Sequence, residues 1–222
     1  SMAFDRSHIS NDSAMYANAA TMFLPAAEFF TRWMTHLCAP TFVFLAGTAL
    51  ALSIERRVAK GENGWKIDKA ILTRGAIIVL LDMTVISLGV GRFQLSVLYA
   101  IGVCMMCMVV LRRLPTWALM SLGVGWFVGG EWLTGLVWSP PGSAPLWAAM
   151  IMATSGVGAM SIKYPVLPWL AMMVLGWCFG RHMNKHATGQ TRLTPGRAML
   201  IAGLAALATF AVVRGLNGYG NM

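Results

Sequence analysis

The stretch CAPTFVFLAGTALALS, residues 38–53, carries no charge and runs through Ile54 into Glu55, Arg56 and Arg57. An uncharged apolar run closed by cations is the pattern of an α-helix crossing a hydrocarbon core about 30 Å thick. Outward from this first span (38–54), similar runs recur at about 75–90, 95–111, 116–137, 166–180 and 198–213. Pro115 opens the fourth, where a helix tolerates proline. The segment from Gly142 to Lys163 is apolar but rich in Gly and Ser, and reads as a short interfacial or re-entrant helix. Residues 1–37, with Pro25 and Trp33, read as an outer loop. The expected fold is all-α: a polytopic transmembrane helix bundle of about six spans plus the short interfacial helix, forming one domain over 1–222.

Composition supports this reading. Of 222 residues, 57% are hydrophobic and 11% charged, with a mean hydropathy of +0.65. Soluble domains carry roughly 25% charged residues, so an ordinary cytosolic globule is excluded, as are disordered and disulfide-framework chains. Cys38, Cys104, Cys107 and Cys178 all lie in apolar stretches and read as small hydrophobes. Cys104 and Cys107 form C-x-x-C without a second pair, so no metal is expected.

The net charge of +9 reads first as topology. Placing 55–74, 112–115 and 181–197 in the cytoplasm puts 12 cations there, against Arg6, Arg32, Arg92, Lys163 and Arg214 outside. Lys and Arg are retained on the cytoplasmic face, so both ends are expected outside, with no nucleic-acid partner. Residues 1–20 hold Asp5, Arg6, His8 and Asp12 and lack an apolar region of signal-peptide type. The expectation is that this chain lacks flanking helices at both ends.

Ionisable groups at membrane depth tend to mark function. Asp82 lies within the second span, where hydrogen bonds to neighbouring helices or a pairing with Arg92 are the structural alternative, and Glu131 lies toward the outer end of the fourth. The outer N-terminal segment gathers Asp5, Arg6, His8, Asp12, Glu28, Arg32 and His36. Histidine is the usual general base near neutral pH, and a carboxylate orients it. Asp5 and His8 stand three apart, so one helical turn would place them on one face. His182 and His186 stand beside Arg181 and Lys185 and read as a solvated basic loop. In the stretch from Tyr164 to Trp169, Pro165 and Pro168 interrupt helix hydrogen bonding. Such backbone is tolerated at membrane depth where it is buried or lines a cavity. Lys163 beside it is a candidate binder of anions or carbonyls.

Four blocks, 30–47 (FTRWMTHLCAPTFVFLAG), 97–102 (VLYAIG), 163–169 (KYPVLPW) with Gly176 and Gly180, and 214–220 (RGLNGYG), together resemble a bacterial membrane family. That family is related to the catalytic domain of heparan-alpha-glucosaminide N-acetyltransferase. The resemblance implies transfer of an acetyl or other acyl group from cytoplasmic acetyl-CoA to a sugar amine or hydroxyl on the outer side of the bacterial inner membrane. It implies His8, Asp5 and His36 as catalytic candidates. Similar proteins begin with a helix ending in Asp-His followed by Arg, whereas here Arg6, Ser7 and His8 follow Asp5, so His and Arg stand in exchanged order. Arg32, Lys163, Tyr164, Asp82 and Glu131 are substrate-binding candidates, and Arg56, Arg57, Arg112 and Arg113 are expected to hold CoA. Expected partners are membrane lipids, a sugar or glycan acceptor and a second copy of the chain. Two other classes stay open: a transporter or flippase using Asp82 and Glu131, and a non-catalytic membrane scaffold.

Overall fold

A computed structural model describes residues 26–86, 93–137, 146–152, 155–157, 160–162 and 164–215. Among them are seven helices: α1 (Ala26–Ala59), α2 (Gly64–Leu81), α3 (Val97–Leu111), α4 (Thr116–Val137), α5 (Leu146–Ile151), α6 (Val166–Ala187) and α7 (Pro195–Gly215). α2 passes into a π-helical turn at Asp82–Ile86. Three strands of three residues, β1 (Phe93–Leu95), β2 (Ser155–Val157) and β3 (Met160–Ile162), form one sheet in the order β1-β3-β2. β1 runs parallel to β3, with Leu95 opposite Ile162, and β2 runs antiparallel to it. The architecture is thus helical, as expected, with a small sheet that the apolar pattern does not announce.

The helices outrun the apolar stretches. α1 begins at Ala26, so 26–37 is helix where an outer loop was expected, and no Pro or Gly interrupts it before Pro40. α2 begins at Gly64 because the Asn63 side chain accepts the Trp65 N–H at 3.1 Å, leaving only a short turn between α1 and α2. α6 continues to Ala187, through what was expected to be a basic loop. Arg and Lys form helices well and are favoured near a helix C-terminus. Six crossings were expected. Two helical segments, Leu37–Ala59 and Pro195–Val212, are long and apolar enough to cross a membrane, and Val97–Leu111 is apolar but shorter. α2 carries Lys66, Asp68, Lys69 and Arg74 within its first eleven residues, which lowers its hydropathy below that measure.

α6 is the hub, packing on α1, α4 and α3, while α2 pairs with α3. Two close crossings depend on absent side chains. On Gly176 of α6 a Cβ would collide with the Phe44 carbonyl, and on Gly47 of α1 with the Met173 carbonyl. Small residues allow such approach between membrane helices. The Thr48 hydroxyl donates across the crossing to the Gly176 carbonyl at 3.0 Å. Gly75 and Gly102 do the same for α2 and α3, where a Cβ on either would meet the other's carbonyl oxygen at 2.8 and 2.6 Å. Val43, Ile67, Met108, Leu119, Met173 and Trp177 fill the buried core.

The exterior is apolar between tryptophans. Trp117, near the start of α4, and Trp132, toward its far end, are both exposed and stand roughly 22 Å apart along the axis. Trp65 is exposed at the start of α2. Tryptophans at two levels with leucine and valine between them suit the two headgroup layers of a bilayer. No residue of the Pro195–Val212 window of α7 is buried.

Candidate functional site

The three cation-rich connectors expected on one side meet at one end of the bundle. Arg112 Nε donates to Asp68 Oδ1 at 2.9 Å and Arg113 Nη2 to Asp68 Oδ2 at 3.1 Å, tying the end of α3 to the start of α2. Arg181 Nη1 donates to the Leu114 carbonyl at 3.2 Å and to Thr116 Oγ1 at 3.3 Å, tying the end of α6 to the start of α4. Asn184 Nδ2 donates to Glu55 Oε2 at 2.6 Å, tying α6 to the end of α1. Arg57 Nε donates to Glu62 Oε2 at 2.8 Å. Glu55, Glu62 and Asp68 are therefore all engaged. Arg56, Lys60, Lys66, Lys69, Arg74, Lys185, Arg192 and Arg197 are exposed around them. Clustered cations with their acids already paired attract polyanions.

The four arginines expected to hold CoA divide on this geometry. Arg112, with its side chain 15% exposed, is committed to Asp68, whereas Arg113, 67% exposed, keeps donors free. Arg56 is exposed, and Arg57 shares its charge with Glu62. His186 Nδ1 stands 3.1 Å from the Thr191 carbonyl, and His182 Nε2 is buried with no partner among the described residues.

At the opposite end, Asp82 is fully buried at the junction of α2 and the π-helical turn. Its Oδ2 accepts the Ser96 N–H at 2.9 Å, and its Oδ1 accepts the Ser96 hydroxyl. Ser96 also caps α3, its hydroxyl accepting the Leu98 N–H at 3.4 Å. A carboxylate at a helix N-terminus meets the positive end of the helix dipole. Ser96 was not picked out in the sequence; its place just ahead of a long apolar run was the cap signal available.

Tyr164 lies two residues past β3, at the start of α6. Its ring packs on Trp169 with centroids 5.1 Å apart and planes at 55°. Burial pushes the Tyr164 phenol above its ordinary range, so it stays protonated at neutral pH. Its hydroxyl makes no hydrogen bond among the described residues, and the buried Trp169 Nε1 has no partner among them either.

α1 and α6 run parallel, and the Thr48–Gly176 and Glu55–Asn184 bonds join residues 128 and 129 apart in sequence. Carried up α1, that register would bring position 36 level with Tyr164–Pro165 and position 40 level with Pro168–Trp169. Positions 28, 32 and 36, occupied by Glu28, Arg32 and His36, fall at four-residue spacing on this helical stretch. Pro40 has no N–H to give the carbonyl of His36, four residues back. Below them an apolar groove of about 630 Å³ lies between α1 and α3. Its walls include Cys38, Phe42 and Ala49 on one side and Val97 and Ile101 on the other. His8, Asp5 and Lys163 lie outside the described residues, as do the side chains of Arg32, His36 and Glu131.

Residues 8–212 match the family of the heparan-alpha-glucosaminide N-acetyltransferase catalytic domain. The chain belongs to this family. His8, Arg32, His36, Asp82, Glu131, Lys163 and Tyr164 fall within the matched range; Asp5 and the 214–220 block lie beyond it. No curated protein and no solved structure matches the chain. Membership in the heparan-alpha-glucosaminide N-acetyltransferase family, with two membrane-capable helices, makes this a membrane protein of acetyltransferase type.

Proposed function

We propose that the chain transfers an acetyl group from cytoplasmic acetyl-CoA to a sugar amine or hydroxyl on the outer side of a bacterial inner membrane, its helices spanning the bilayer six times. The observation that carries the reading is the family match over 8–212. The layout of α1 supports it. Arg56 stands at one end, the apolar groove runs along the helix from Ala49 to Cys38, and His36 follows two residues later. In this reading the exposed cations Arg56 and Arg113 hold the phosphates of the donor. Its acyl-bearing arm lies in the groove, with the thioester at the level of His36.

The chemistry is acyl transfer. The acceptor nitrogen or oxygen attacks the thioester carbonyl, the new C–N or C–O bond forms, and the C–S bond breaks to release CoA thiolate. A histidine, His36 or His8, takes the acceptor proton and returns it to the thiolate. Geometry then supplies the rate, because a bound acceptor and donor react as one molecule. The transporter reading draws no support of its own here, since the Asp82 carboxylate is engaged with Ser96.

The test is CoA release by the purified chain in detergent with acetyl-CoA and glucosamine, for wild type, His36→Ala and His8→Ala. Release that falls at least a hundredfold in one variant, in line with the usual contribution of a general base, is expected. Absence of acetyl-CoA binding to the wild type overturns the reading.

A further inference from the structure

The outer face of α2 changes character along its length. Trp65, Lys66 and Lys69 are exposed on its first turns, and Leu72, Ile77 and Leu80 are exposed beyond them. The other side, with Ile67, Asp68, Ile71 and Gly75, is buried where α2 pairs with α3. Arg74 is exposed among the apolar residues, about 12 Å past Lys66 along the axis. Lys66, Lys69 and Arg74 make no ion pair among the described residues, and the nearby acids are taken, Glu62 by Arg57 and Asp68 by Arg112 and Arg113.

An arginine flanked by exposed leucine and isoleucine is costly in hydrocarbon unless its head reaches water or an anion. Side chains on a helix lean toward its N-terminus, so the Arg74 guanidinium leans back toward the two lysines while its stem covers apolar surface. Trp65, 72% exposed beside the lysines, suits the headgroup level. A water-borne anion matches the lysines alone. A phospholipid matches the whole face, because it carries a phosphate and apolar chains in one molecule. We propose that Lys66, Lys69 and Arg74 bind the headgroup of an anionic phospholipid of the cytoplasmic leaflet, with its acyl chains lying along Ile77 and Leu80. Basic residues at the cytoplasmic end of a membrane helix attract such headgroups. The proposal rests on α2 being one of the six crossings and is independent of the reaction and its donor.

The experiment is thermal melting of the full chain in neutral detergent, titrated with phosphatidylglycerol, with phosphatidylcholine of the same chains, or with soluble glycerol phosphate. Phosphatidylglycerol is expected to raise the wild-type melting temperature by about 3 °C or more, the scale of a ligand at ten times its dissociation constant on a chain of this size. Removing all three cations (Lys66→Gln, Lys69→Gln, Arg74→Gln) is expected to abolish that shift, and Arg74→Gln alone to halve it at least. Removing three exposed cations elsewhere (Lys185→Gln, Arg192→Gln, Arg197→Gln) is expected to leave it intact. Equal loss in both triple variants, an equal shift with phosphatidylcholine, or the same shift with glycerol phosphate overturns the proposal. So does loss of acetyl-CoA binding in the α2 triple variant, which would assign the patch to the donor. The crossing is checked separately: Leu80→Cys in lipid nanodiscs is expected to resist a water-soluble maleimide, and labelling there overturns the six-crossing reading itself.

Discussion

Asp68 and Asp82 lie on one face of α2, about four turns apart, and each holds one end of α3. Asp68 binds Arg112 and Arg113 at the cation-rich end, and Asp82 binds Ser96 at the other. Between them Gly75 lets α2 approach α3 at Gly102. The antiparallel pair is therefore pinned at both ends and closed in the middle, with the carboxylates set where the chain turns. This arrangement separates the roles of the two buried acids and makes each testable.

Asp68→Ala is expected to destabilise the protein by about 1–3 kcal/mol, because it leaves the mostly buried Arg112 without its acceptor. Arg113→Ala removes a partner that is largely exposed and is expected to change stability by less than about 1 kcal/mol. Thermal melting in detergent compares the two. Equal shifts would mean that the Arg112 contact contributes no more than a surface ion pair.

Asp82→Asn keeps one acceptor oxygen and loses the other, while Ser96 offers both its N–H and its hydroxyl to the carboxylate. The expected outcome is a loss of roughly 1–2 kcal/mol in stability with CoA release per folded molecule unchanged. If Asp82 instead binds substrate, turnover collapses while the melting temperature holds. Measuring both on the same preparation decides between them.

Gly176→Ala places a methyl against the Phe44 carbonyl, a backbone atom that cannot swing away. Overpacking of this kind costs about 1–3 kcal/mol or more. Gly125→Ala on α4 meets nothing within 4 Å, and there the better helix propensity of alanine is expected to stabilise by about 0.5–1 kcal/mol. Opposite signs in a melting experiment are the prediction. A neutral Gly176→Ala would show that α1 and α6 separate without loss.

These tests also mark what the sequence carries. α4 over Thr116–Val137 is legible because Pro115 opens it and the apolar run then continues without interruption. The gathering of Arg112 and Arg181 at one end follows from counting cations. Helix lengths beyond the membrane are not legible in the same way. Lys66 and Lys69 of α2, and Lys185 of α6, end an apolar run without ending a helix, since lysine is a good helix former. The strands Phe93–Leu95 and Met160–Ile162 are too short to show a period of two, and their pairing is non-local. Trp169 looks like any aromatic in an apolar run, and its packing on Tyr164 emerges only in the fold.

The groove along α1 yields the sharpest test of the donor path. Ala49 lines it near its lower end, is exposed, and faces open space between α1 and α3. Ala49→Trp adds an indole to that space without entering the α1–α6 crossing at Gly47 and Thr48, so folding is expected to be preserved. If the acyl-bearing arm of the donor lies in the groove, CoA release falls by about tenfold or more, since even slight misplacement of a bound reactant has effects of that size. Acceptor binding at the level of position 36 is expected to be unaffected, because the obstruction sits several turns below it. The decisive comparison is CoA release against glucosamine binding for the same variant. Release at the wild-type rate would place the donor outside the groove, and parallel loss of both would mean that the indole disturbs the bundle rather than the path.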